Sequence, residues 1–179
     1  MSERLLNVGK KFHMKFNFLD GRFFYGQILD IPDTSRVSNF LSTRRYLRTA
    51  PDTLVRPRDV IIVDNIKYVV AEHGTGFYKQ PIYKHFKLFE VDEILTWYQS
   101  SVTTDTVTGL EKMARTTNAG AVYVSTQPKG DIEDALHIQQ VRKLCICDKD
   151  VKVDDKIGDY IVTKADKVLG VNLLELKKL

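Results

Sequence analysis

The chain has 179 residues, of which 43% are hydrophobic and 28% charged, with a formal net charge of +4. That balance is ordinary for a folded globular protein and excludes a disordered chain, and the length suits one large domain or two small ones. Apolar runs such as Val60–Val63 are far too short for a membrane span, and Met1-Ser2-Glu3-Arg4 does not open a signal peptide, so a reducing cytosol and no membrane partner are expected.

The first clear element is "HMKFNFLDGRFFYGQILDI", two alternating aromatic-rich runs that meet at Asp20-Gly21, a pair suited to a tight hairpin turn. Phe12, Met14, Phe16 and Phe18 share one face of the first run, and Pro32 ends the second. Residues Asp33–Arg58 have no clean period: "VSNFLSTRRYLR" has room for two turns of helix, and "TAPDTLVRPR" reads as extended loop because of its prolines. "DVIIVDNIKYVV" predicts a hairpin turning at Asp64-Asn65, "HGTGFYKQP" a loop, and "IYKHFKLFEV" a strand with large side chains on both faces.

From about Val91 the pattern starts over. "ILTWYQSSVTTDTVTGLEKMARTT" predicts two strands joined near Thr108-Gly109, "GAVYVST" another, and "ALHIQQVRKLCICD" one long strand or a bent pair. Cys145 and Cys147 fall on one face of that strand and read as core thiols; with only His137 nearby they are too few for zinc, and neither metal nor cofactor is expected. "DVKVDDKIGDYIV" (Asp150–Val162) then repeats the hairpin of Asp59–Val70, and "VLGVNLLELKKL" closes as a last strand or short helix.

The expected fold is mostly β, with small barrel or sandwich modules. Two in tandem are favoured, 1–91 carrying an Arg-rich insert at 33–58 and 92–179 following, although one interleaved barrel is the open alternative. The expected core runs through Phe16, Phe18, Phe24, Ile28, Val60, Ile62, Tyr68, Leu88, Val122, Val124, Ile146 and Ile161.

Catalytic signatures are missing. Neither "NVGKK" nor "HGTGFY" completes a phosphate-binding loop, the four histidines are scattered, and no nucleophile elbow occurs, so an enzyme is not expected. The insert is the distinctive electrostatic feature. Arg36, Arg44, Arg45, Arg48, Arg56 and Arg58 face only Asp33 and Asp52, a net +4 that equals the charge of the whole chain. Arginines mixed with Phe40, Leu41, Tyr46 and Leu47 fit a surface that contacts a partner, protein or nucleic acid. The partner- or DNA-contacting candidates are therefore Arg36, Arg44, Arg45, Tyr46, Arg48, Arg56 and Arg58, and Asp131, Glu133, Asp134, Asp154 and Asp155 are acidic candidates for a subunit interface.

The strand–turn–strand "DVIIVDNIKYVV", its following loop and "IYKHFKLFEV", together with "ILTWYQSSVTTDTVTGLEK" and "AVYVSTQP", resemble the style of small β-barrel head-completion, head-closure or stopper proteins at the head–tail junction of tailed bacteriophages. The resemblance implies a structural, non-enzymatic virion protein of the neck, assembled in the host cytoplasm. It would form a homo-oligomeric ring, six-fold or twelve-fold, with portal or adaptor above and tail proteins below, touching packaged double-stranded DNA without reading its sequence. The chain is longer than a single-barrel stopper, which leaves an adaptor, a tail terminator or a tail-tube or baseplate component open. The rival from another class is a free β-barrel module that binds nucleic acid, suggested by the basic insert and the aromatic strands "FNF" and "FFY".

Overall fold

The computed structural model describes residues 14–30, 45–78, 80–104, 107–109, 111–126 and 142–179. All regular structure among them is β. The strands are β1 Met14–Phe18, β2 Phe23–Asp30, β3 Arg45–Thr49, β4 Val60–Val63, β5 Ile66–Tyr78, β6 Gln80–Glu90, β7 Glu93–Thr104, β8 Glu111–Thr126, β9 Arg142–Cys147, β10 Lys156–Ile157, β11 Tyr160–Val168 and β12 Val171–Lys178. The chain divides into two compact units, Met1–Glu90 and Val91–Leu179. Each is a closed six-stranded antiparallel barrel. In the first the strand order is β1-β2-β3-β6-β5-β4, and in the second β7-β8-β9-β12-β11-β10, the same connectivity written twice. Two small barrels in tandem are what the paired motifs led one to expect.

Local chemistry explains the first hairpin. The Gly21 N–H donates to the Phe18 carbonyl at 3.2 Å and the Phe18 N–H to the Arg22 carbonyl at 2.9 Å. Gly21 alone takes a positive φ, 84°, so the connection is a turn closed by a left-handed glycine. Phe16, Phe18 and Phe24 then enter the barrel and pack ring to ring at 5.0–5.5 Å. Gly26 lies where a Cβ would come within 2.9 Å of the Arg48 carbonyl oxygen and of Leu47, so only glycine lets β2 and β3 approach there. The β4–β5 turn is the two-residue Asp64-Asn65, both at positive φ, as its sequence predicts.

Several expectations are corrected. The Arg-rich insert is not irregular throughout: Arg45–Thr49 is a wall strand between β2 and β6, with Leu47 fully buried, and not helix. Of the expected loop "HGTGFYKQP", His73–Tyr78 and Gln80-Pro81 are instead the far part of the β5–β6 ladder, with a bulge at His73 and a second register shift after Gly76; Lys79 lies outside the described residues. "GAVYVST" is no separate strand; β8 runs unbroken from Glu111 to Thr126. The last segment is strand, reached by a turn at Leu169-Gly170 with both residues at positive φ.

The core prediction held at Phe16, Phe18, Phe24, Tyr68, Leu88, Val122 and Val124, with Ile28 packed against it half-buried. It missed the phase in strands apolar on both faces. Val60 and Ile146 are buried as expected, but on the faces opposite Ile61 and Val63 of β4 and Cys145 and Cys147 of β9; Ile62 and Ile161 are only half-buried, and Val162 takes the inward place on β11. Both thiols are buried and not joined in a disulfide, and the Cys147 thiol donates to the Lys149 carbonyl at 3.4 Å.

The two copies of the repeat sit in equivalent places, but their alignment shifts. In the first unit the Asp59 N–H donates to the Arg56 carbonyl, Arg58 takes φ 76°, and the Asp59 carboxylate accepts the Arg56 N–H at 2.7 Å. In the second the Asp155 N–H donates to the Lys152 carbonyl, Asp154 takes φ 71°, and the Asp155 carboxylate accepts the Lys152 N–H at 3.0 Å. A positive φ at the third turn residue, Arg58 or Asp154 where glycine is usual, marks both as type II turns, and the aspartate at the fourth position holds each of them. Val70 and Val162 then pair with Asp59 and Asp155, and buried Val55 and Val151 precede the turns at the same spacing. Asp59 therefore corresponds to Asp155, not to Asp150.

Asp155 also corrects a site expectation. Expected on an acidic subunit surface, it is 1% exposed. Its carboxylate accepts the Trp97 indole N–H at 2.9 Å and the Ser100 N–H at 2.9 Å besides that of Lys152. Asp155→Ala leaves three donors without an acceptor and should lower stability by roughly 3 kcal/mol or more. Denaturant melts will check this, and the emission of Trp97, the single tryptophan, should shift with the loss of its partner.

Candidate functional site

In the first unit, the positions that alternate with core residues face out of the barrel, and they carry an unusual set of side chains. On β1 and β2 these are Lys15, Asn17, Phe23, Tyr25 and Gln27. Phe23 is 49% and Tyr25 54% exposed, their rings edge to face at 5.9 Å, with the Lys15 ammonium 4.2 Å over Phe23. On β3 and β6 they are Tyr46, Arg48, Tyr83, His85 and Lys87. The register lines up Gln27, Arg48 and His85 in one row across three strands, and pairs Lys15 with Tyr25 two residues away along β2. None of these outward residues is Asp or Glu.

Arg48 is held at the centre of this wall. Its Nε–H donates to His85 Nε2 at 2.9 Å, which fixes His85 as the neutral tautomer protonated at Nδ1. The guanidinium lies 4.6 Å over the Tyr83 ring, and Tyr83 stacks on His85 at 4.6 Å. The bulge at His73 turns that ring parallel to His85 at 6.3 Å and within 5.0 Å of Tyr46. Burial lowers the pKa of His85, helped by Arg48 and then His73; burial, then Lys87, lowers that of His73; and burial lowers that of Lys87. Cations and π faces crowded together without a carboxylate are suited to binding an anion that also has a flat face.

Of the residues picked from sequence, Tyr46 and Arg48 join this wall. Arg45, next door in sequence, points the other way: its guanidinium bonds Asp30 at 2.9 Å and the Tyr68 hydroxyl at 2.8 Å at one end of the barrel. Arg56 and Arg58 are exposed on the type II turn, and Asp154 is exposed on its counterpart. Arg36, Arg44, Asp131, Glu133 and Asp134 lie outside the described residues. Lys15, His73, Tyr83, His85 and Lys87 were missed, and Phe23 and Tyr25 entered only through "FFY" in the nucleic-acid alternative. Their outward direction was legible, since placing Phe24 in the core forces Phe23 and Tyr25 outward. Among the described residues no group of three His, Cys, Asp or Glu is placed to hold a metal ion. No family model, curated protein or solved structure matches the chain.

The two lowered histidines give a pH test. A histidine whose native pKa lies below its unfolded value, near 6.5, binds its proton more readily once unfolded. Stability is therefore full above that value and is lost as pH falls from there through the native pKa. Protonated His85 also ceases to accept from Arg48. The urea midpoint should drop between about pH 7.5 and about pH 5.5, and His85→Gln should flatten that dependence.

Proposed function

We propose that the chain is a structural, non-enzymatic assembly subunit, and that the ring at a phage head–tail junction implied by its sequence style is its setting. The supporting observation is the β7–β8 hairpin. Beyond Trp97 and Tyr98, where β7 pairs with β10, Ser101–Thr104 and Glu111–Arg115 pair only with each other among the described residues. At about 3.4 Å per residue this ribbon runs roughly 15 Å, and its tip at Val107 is 91% exposed.

Two strands alone are marginal in water, and open edges are templates for another strand. On β8 only Val124–Thr126 pair with β9, so among the described residues the edge from Glu111 to Ala121 has no partner strand. In a ring, one subunit's patch meets a different patch on the next, and an arm that donates or accepts a strand supplies that contact. Asp154 and the exposed Arg56 and Arg58 are candidate charged partners across the same contact, and the remaining arginines are candidates for portal, tail or packaged duplex DNA.

Ser100 pairs with Thr116, so residues 101–115 can be replaced by Asn-Gly without touching the barrel. This variant should keep its cooperative melt yet fail to form rings by light scattering and electron microscopy, and fail to restore DNA retention to heads lacking the subunit. Wild-type assembly and DNA retention in the shortened chain would overturn the proposal.

A further inference from the structure

We propose that the outward face of β1–β2, continued by Arg48 and Tyr83, binds single-stranded nucleic acid, with bases stacked on Phe23 and Tyr25 and phosphates held by Lys15 and Arg48. This inference stands apart from the assembly reading, since it concerns the other unit and a different surface.

Three observations carry it. Phe23 and Tyr25 are neighbours on one face and about half exposed, although Phe16, Phe18 and Phe24 already fill the barrel beneath them. Burial would favour the reverse, so these rings are not surplus core. Their edge-to-face contact leaves ring surface towards solvent, which is what an unpaired base needs and a duplex cannot use.

The second observation is charge. Neither the Lys15–Tyr25 pair nor the Gln27–Arg48–His85 row beside it contains a carboxylate; at about 4.8 Å per strand and about 3.4 Å per residue the two together cover roughly 10 Å by 7 Å, room for a few nucleotides. An acidic protein surface would satisfy the charges but would make no demand for stacked rings. The third is that both cations already rest on aromatic faces, Lys15 on Phe23 and Arg48 on Tyr83. Each charge is thus held next to a stacking platform, the combination that tracks backbone and bases together on sequence-tolerant single-strand binders.

The test uses the full chain and a fluorescein-labelled oligo-dT of about 20 nucleotides, read by anisotropy at about 50 mM salt, beside a duplex of equal length. The single strand should bind at least about tenfold more tightly than the duplex, since only it gains the stacking. Phe23→Leu and Tyr25→Leu keep apolar surface but remove the π face, and each should weaken single-strand binding roughly 5- to 150-fold. Lys15→Gln, at an exposed position, should lower the salt slope by about 0.7. Absent binding, equal affinity for the duplex, or leucine variants that bind like the native chain would overturn the assignment.

Discussion

Each barrel is closed by a seam only two residue pairs long. In the first unit Asn17 meets Ile62 and Phe18 meets Ile61; in the second Lys156 meets Tyr98 and Ile157 meets Trp97. A curled sheet loses its exposed edges only if it closes, so the core, the turns and the outward wall all depend on these short contacts. The type II turn stands beside the seam in both units and aims the strand that completes it. In the second unit its aspartate does more, reaching across the seam to the Trp97 indole and the Ser100 N–H. The first unit secures the same place by extending the ladder with Leu19 to Val60 and by packing Phe18 against Phe24. One connectivity is thus closed by a polar clasp in one unit and by aromatic packing in the other.

Much of this was legible in the sequence. Asp20-Gly21 and Asp64-Asn65 are turn pairs because they tolerate positive φ, and alternation placed Phe16, Phe18 and Phe24 without ambiguity. The β-rich class and the duplicated hairpin follow from such local signals. What failed was long-range. "VIIV" is apolar at every position, so periodicity fixes a strand but not which side meets the core. "RYLRT" has no period of its own and becomes strand because β2 and β6 offer ladders on both sides. Asp155 read as one more acid in a charged turn; its burial is set by strands more than fifty residues away in sequence. The candidate wall was half legible, as Tyr46 and Arg48 stood out by composition while His73, Tyr83 and His85 join them only through register.

Bulges sit where the long hairpins leave the barrels. On β5 the extra residue is His73, placed where pairing with β6 continues after Glu72. On β8 it is Ala119, next to Gly120 at φ 105°, where pairing with β7 passes Trp97. A bulge bends and twists its strand, so each ladder is steered away from the closed wall at the point where it ceases to belong to six strands. In the first unit the same device has a second effect: the extra residue is the histidine that stacks on His85. Steering the hairpin and assembling the aromatic wall are one structural event there.

The two neighbouring arginines of β3 show why charge alone could not locate a surface. Arg45 and Arg48 are three residues apart, and on a strand an odd separation sends them to opposite faces. Arg45 shares the inward parity of Leu47 and lies at the barrel's end, where Asp30 neutralises it and Tyr68 shares its guanidinium. Asp30 and Glu90 have that same parity, each two residues beyond the inward-facing Ile28 and Leu88. The acids of these strands are thereby drawn to the barrel's ends, and the outward face is left with Lys15, Arg48 and Lys87. Alternation therefore does more here than bury the core. It sorts strands that carry five cations and two acids into balanced ends and a cationic wall, and the wall, not the Arg-rich stretch as such, is the surface proposed for an anionic partner.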